Sequence, residues 1–199
     1  MEHSASLDMT TPGTTKSAST TPFYMFLSVD TDGVGTLVPF TQHVVRLAFT
    51  VMTPQFKLVT MDHFFVFQGH NTACQLYSVE QLATGVPVTE ACQRLFQHAS
   101  QVLHENGVIV VHNKQFIVSA LQSMGCSFTT LQHLYKAMYC TMEAAAVLGP
   151  KLKYPNLLEM CTFLLPILSL TASQLQQAPD KVVLLAQCYK RGKEIMLFI

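Results

Sequence analysis

Phe26-Leu27-Ser28-Val29-Asp30-Thr31-Asp32-Gly33-Val34-Gly35 is the stretch on which the fold turns. It completes a continuous apolar run from Phe23 to Val29, which predicts a central strand buried on both faces. That strand ends in two carboxylates followed by a glycine turn. Glycines at 33 and 35 relax the backbone enough to turn both carboxylates toward one ion, and hard oxygen ligands of this kind suit Mg²⁺ or Mn²⁺. Asp and Gly are also the commonest turn residues, so the segment taken alone reads as readily as a surface turn.

The 199-residue chain is 49% hydrophobic and 12% charged, which predicts one well-buried domain rather than a disordered polymer. Twelve basic and twelve acidic residues cancel, so no global field recruits nucleic acid or an anionic membrane, and any nucleic-acid contact must be local. Residues 1–22 are Ser/Thr-rich and read as a disordered tail without a secretory signal; residues 23–199 form the domain. Six scattered cysteines contain no C-x-x-C pair and read as free thiols of an intracellular protein, cytoplasmic or nuclear. Eight histidines lack metal-finger spacing, which argues against structural zinc. The longest apolar run, Phe163 to Leu170, is interrupted by Pro166 and is too short to span a bilayer, so no membrane partner is expected.

Along the chain, Val44–Thr53 and Lys57–Phe67 are rich in β-branched and aromatic residues around a turn at Thr53-Pro54-Gln55, which predicts a hairpin beside the first strand. Phe64, Phe65 and Phe67 read as alternating core and face positions of that hairpin. Val88–Asn106 carries an apolar stripe at helical spacing, with Thr89 as the expected N-cap and Gly107 as its stop. A short buried strand at Val108–Val111 and a helix at Phe116–Met124 follow. Thr129–Tyr135 starts another helix or approaches a short strand, and Leu157–Leu165 and Lys181–Lys190 are further helices. Strands first, then helices alternating with short strands, predict an α/β domain with a mixed sheet.

Several segments taken together resemble the DEDD-type 3′–5′ exonucleases, in the branch that uses a histidine base. Phe26–Gly35 is similar to that family's first motif, D-x-E-T-x-G, with Asp32 at the glutamate position. Leu76–Val79 with Gly85-Val86-Pro87 resembles its I-H-G-I stretch and the G-x-P that opens the next helix. Val108–Leu121 is similar to the second motif, V-x-H-N-x-x-F-D-x-x-x-L. Cys140-Thr141-Met142 and Lys153–Met160 resemble the D/C-T-M and K-x-P-x-L-x-E-L segments, and Gln176–Tyr189 the third motif, H-x-A-x-x-D-x-x-x-L-A-x-C-Y. The likeness runs in family order over nearly all of residues 23–190. It implies a ribonuclease-H-like mixed sheet of about five strands flanked by helices.

The departures bear on function. The resemblance puts the family's second-motif aspartate at Ile117, its histidine base at Gln176 and its last aspartate at Lys181. Asp30 and Asp32 remain as weak metal ligands, and Asp180 is a candidate replacement if the alignment slips by one residue. His112 reads as a packing or hydrogen-bonding residue, and Glu143 and Glu159 as solvated helix positions. The expectation is a degraded two-metal site, holding Mg²⁺ or Mn²⁺ weakly or no cofactor at all, in a pseudo-exonuclease that binds single-stranded DNA, RNA or a protein. The alternatives are an active metal-dependent 3′–5′ exonuclease using Asp30, Asp32 and a third acid, and a purely structural interaction protein.

Overall fold

In the computed structural model the described residues are 23–33, 43–67, 74, 76–148 and 154–198; the predicted tail at 1–22 and Gly35 lie outside them. The apolar run forms β1 (Tyr24–Thr31), every residue of which is buried. It pairs antiparallel with β2 (Val44–Met52), which pairs antiparallel with β3 (Leu58–Phe67), so the predicted hairpin is present. Next come α1 (Val79–Ala83), β4 (Val86–Pro87), α2 (Val88–His104), β5 (Val108–Val111), α3 (Lys114–Ser123) and α4 (Phe128–Ala137). The described chain closes with β6 (Met138–Cys140), α5 (Thr141–Ala144), α6 (Leu157–Leu164) and α7 (Ala178–Glu194). The sheet is six-stranded and mixed, in the order β4-β3-β2-β1-β5-β6. This is the expected mixed sheet of about five strands; its two shortest, β4 and β6, have two and three residues, too little sequence to show a period.

Strand alternation sorts β1 into two layers. Met25, Leu27 and Val29 pack with Leu47 and Phe49 of β2 against Leu95 of α2, Leu121 of α3 and Leu131 of α4. Tyr24 and Phe26 point the other way, into a layer built by Met160 of α6 and Val182, Leu185 and Tyr189 of α7. Asp30 has the same parity as Tyr24, Phe26 and Ser28, so its carboxylate belongs to the layer of α7. No helix among the described residues is long and apolar enough to cross a membrane.

Helix boundaries differ from expectation where backbone geometry overrides the apolar stripe. α2 is preceded by Pro87 rather than capped by Thr89. α3 starts two residues early because Asn113, in the left-handed region at φ 63°, accepts a hydrogen bond from the Phe116 amide. α1 was not anticipated; Ser78 and Gln81 close a capping box around its single turn.

Gly107 joins α2 to β5 where a Cβ would lie 2.6 Å from the Val102 carbonyl oxygen and 2.7 Å from that of Phe23. Both obstacles are backbone, so the turn cannot open around a methyl group without displacing β1 or α2. Gly107→Ala is expected to cost about 2 kcal/mol or more, read as a lowered urea midpoint.

Candidate functional site

Asp30 is the centre of the site. Its side chain has 0% exposure, and three donors from two other parts of the chain converge on it. The Lys181 ammonium donates to Oδ1 at 2.6 Å, and the Tyr77 hydroxyl and the Ala178 backbone N–H both donate to Oδ2 at 2.6 Å. Ala178 is the first residue of α7, where unpaired amide groups and the helix dipole favour an anion. Gln177, the residue before it, makes no side-chain cap of its own, so the β1 carboxylate caps α7 from across the sheet. Lys181 lies three residues on, hence on the same helix face, and its ammonium reaches the carboxylate that its own helix end holds.

Arg46 on β2 stands opposite Asp30 in the strand register, beside a shift in that register at Asp30 and Thr31. Its guanidinium donates to the Gln177 side-chain oxygen at 2.8 Å and more weakly to the Tyr77 hydroxyl at 3.4 Å, and lies over the rings of Phe65 and Tyr77. Burial raises the Tyr77 pKa, and the bond to Asp30 raises it further, so the phenol stays protonated and donates. Asp32, past the strand end, accepts from the His43 backbone N–H at 2.8 Å and faces the His43 ring nitrogen Nδ1 at 3.0 Å.

Both aspartates thus stand at the end of β1, with different partners. Ile117, on α3, is buried and packs in the core layer while also lining the adjoining cleft. Gln176 is exposed just before α7, and Asp180 is exposed on its first turn; of the neighbours 180 and 181, it is Lys181 that reaches Asp30. Among the described residues no group of three or more His, Cys, Asp or Glu side chains is placed to hold a metal ion. Sequence reasoning gave no role to Tyr77, Arg46 or the α7 amide. Tyr77 lay within a segment already singled out, whereas Arg46 carries no motif and emerges only from the β1–β2 register.

A cleft of ≈ 420 Å³ opens beside Lys181, where β1 runs on past its parallel pairing with β5. Leu27 and Val29 of β1, Phe116 of α3 and Leu185 of α7 form apolar walls; Ser28, Asn113 and Asn156 add polar groups. His112 lines it too, with Nδ1 3.0 Å from the Thr141 hydroxyl, which in turn donates to the Val111 carbonyl. Its Nε2 is buried without a hydrogen-bond partner among the described residues. Burial lowers the His112 pKa to about 4, with the Pro155 backbone opposing the shift without satisfying Nε2.

The fold is that of solved ribonuclease-H-like 3′-exonucleases. The chain superposes on cell-death related nuclease 4 with a TM-score of 0.63 at 14% identity, covering 87% of this chain and 64% of that one. A 3′-exonuclease that recognises the 3′ end of a histone mRNA stem-loop gives 0.63 at 10% identity, covering 89% and 84%. E. coli Exonuclease I in complex with a dA16 oligonucleotide gives 0.61 at 14% identity, covering 89% and 42%. The chain therefore spans less than two thirds of the length of the first and third of these proteins. No protein-family model matches the sequence, and neither does any curated protein.

Two outcomes test this geometry. Lys181→Ala removes the ammonium from a carboxylate with no solvent exposure and is expected to destabilise the fold by about 3 kcal/mol, measured by chemical denaturation. His112 has a folded pKa of about 4 against 6.5 when unfolded, so the unfolded chain binds the extra proton. Its contribution is complete above pH 6.5 and is lost as pH falls toward 4, by about 3 kcal/mol in all. Denaturation curves across that window should show a smaller acid-induced loss for His112→Gln than for the parent chain.

Proposed function

We propose that this chain is an exonuclease-fold protein that binds the end of a single-stranded nucleic acid in the cleft between β1, α3 and α7, and hydrolyses it little or not at all. The observation that carries the proposal is the Lys181 ammonium, 2.6 Å from Asp30 Oδ1. In a two-metal nuclease one ion activates the attacking water and the other stabilises the leaving oxygen, and several carboxylates offset their charge. Here one carboxylate is already neutralised by a cation of the protein itself, and its second oxygen is taken by Tyr77 and the α7 amide.

The remaining donor set does not fit a resident pair of dications. Ile117 offers no oxygen, Lys181 repels a metal, and Asp32 is engaged by His43. Gln176, at the position of the family's base, cannot accept a proton at neutral pH, which removes a rate factor of about a hundred.

Binding is supported by the cleft. Its apolar walls accept the face of a base, and the few polar groups around it can orient one. Strand-binding in the neighbours is named directly for E. coli Exonuclease I with its oligonucleotide. Near the cleft, cations are mostly engaged: Lys181 by Asp30, Arg46 by Gln177, and Lys114 by the Met138 carbonyl and the Tyr135 ring. The proposal therefore requires weak dependence on backbone phosphates.

The test uses labelled single-stranded DNA and RNA with the full chain, with and without Mn²⁺. Expected are binding by fluorescence anisotropy with a shallow salt slope of about −1 to −2, no metal-dependent shortening, and several-fold weaker binding by Ala172→Trp, which fills the cleft from an exposed position. Shortening that needs Mn²⁺ and disappears in Asp30→Ala would establish the enzyme instead. Absence of any saturable binding would remove the nucleic-acid ligand and leave a protein partner.

A further inference from the structure

Two pairs of thiols meet within the domain, at the same separation and in opposite environments. Cys92 on α2 and Cys126 in the turn between α3 and α4 have their sulfurs 3.1 Å apart, and both are half-buried. Cys161 on α6 and Cys188 on α7 are also 3.1 Å apart, but both are 0% exposed. In each pair the sulfurs stand about 1 Å beyond the roughly 2.05 Å of a covalent S–S bond. The difference between the pairs is access, which decides whether a reagent in solution can reach a sulfur.

We infer that Cys92 and Cys126 form a reversible dithiol–disulfide site that reacts with low-molecular-weight disulfides of the glutathione class, whereas Cys161 and Cys188 do not react while the chain is folded. Donation from the Cys126 thiol lowers the pKa of Cys92, against the effect of burial, and the same bond raises that of Cys126. Either sulfur can donate in this contact, so either can be the attacking thiolate. In the route that starts from Cys92, whose ionised form the Cys126 thiol stabilises, that thiolate displaces one glutathione thiolate to form a mixed disulfide. Cys126, losing its proton to solvent, then attacks the Cys92 sulfur and expels the second glutathione. The two protein thiols are oxidised, and one glutathione disulfide is reduced to two thiols.

The position of the bond gives it a structural effect. Cys126 lies between Gly125, which leaves α3 with φ 79°, and Ser127, which caps α4 by accepting from the Thr130 amide. A disulfide would fasten this turn to α2. α3 presents Phe116 and Ile117 to the cleft from its other end, so the link ties one cleft wall to the neighbouring helix.

The experiment equilibrates the full chain with stepped ratios of reduced to oxidised glutathione, alkylates the remaining thiols, and maps the peptides by mass. A Cys92–Cys126 linked peptide should grow with the oxidised fraction and vanish on adding dithiothreitol. Cys161 and Cys188 should become alkylatable only after denaturation. Cys126→Ser, or Cys126→Ala if the first variant folds poorly, should trap glutathione on Cys92. The oxidised chain should melt higher than the reduced one, a shift that Cys92→Ser abolishes. Full alkylation of Cys92 and Cys126 in the folded chain under oxidising glutathione would overturn the inference. So would a linked peptide that appears only when the chain is first unfolded.

Discussion

A carboxylate with no solvent exposure governs the way the first strand meets the last helix. Burying an ionised Asp30 costs several kcal/mol unless its lone pairs are satisfied. The chain meets that cost with an ammonium, a phenol and a helix-end amide, all at 2.6 Å. Two of the three donors sit one turn apart on α7, so the carboxylate fixes both the rotation of that helix and where it starts. The remaining donor, Tyr77, passes the constraint to Arg46 and through it to Phe65 on β3. A single charge thus aligns β1, β2, β3 and α7 on one side of the sheet.

The two sides of the sheet solve their packing differently. Behind Met25, Leu27 and Val29 the helices contribute mostly aliphatic side chains, the ordinary filling of an α/β layer. On the side of Asp30 the core is aromatic: Tyr189 of α7 meets Tyr24, Phe26 and Tyr139 edge-on and stacks with Phe198. Rings at such angles resist sliding, and they hold α7 at one end while the ion pair holds it at the other. The cleft lies beside the polar end, where β1 loses its pairing with β5 and a ligand can reach the strand.

Much of this was legible in the sequence, for identifiable reasons. β1, β2, β3 and α2 are long enough to show a period, and each forms within a few residues of its expected span. β4 and β6 are too short for any period, and α1 depends on one capping box. The family resemblance singled out Asp30, Asp32, Ile117, Gln176 and Lys181, and it set a lysine where that family carries an acid. What could not be read was the resolution of that conflict. Asp30 and Lys181 are 151 residues apart, and only the crossing of β1 by α7 brings them together. Arg46 was invisible for a similar cause, since its role depends on a strand register rather than on any spacing along the chain. The thiol pairs were hidden for the same reason; no short C-x-x-C spacing marks contacts made between different helices.

The bond from β1 to the start of α7 also sets an order of events during synthesis. β1 to β6 can assemble their aliphatic layer before the rest of the chain is made, because every partner in it lies at or before Met138. The opposite face of β1 lacks its main cover until α6 and α7 are made. Through that interval Asp30 is a charged residue on a half-built sheet, hydrated and unpaired by α7. That charge stands at the end of the apolar strip of Tyr24 and Phe26 while the strip is still open, and so opposes apolar association of this face with other nascent chains. When Ala178 and Lys181 arrive, the same group becomes the point at which the late helix locks.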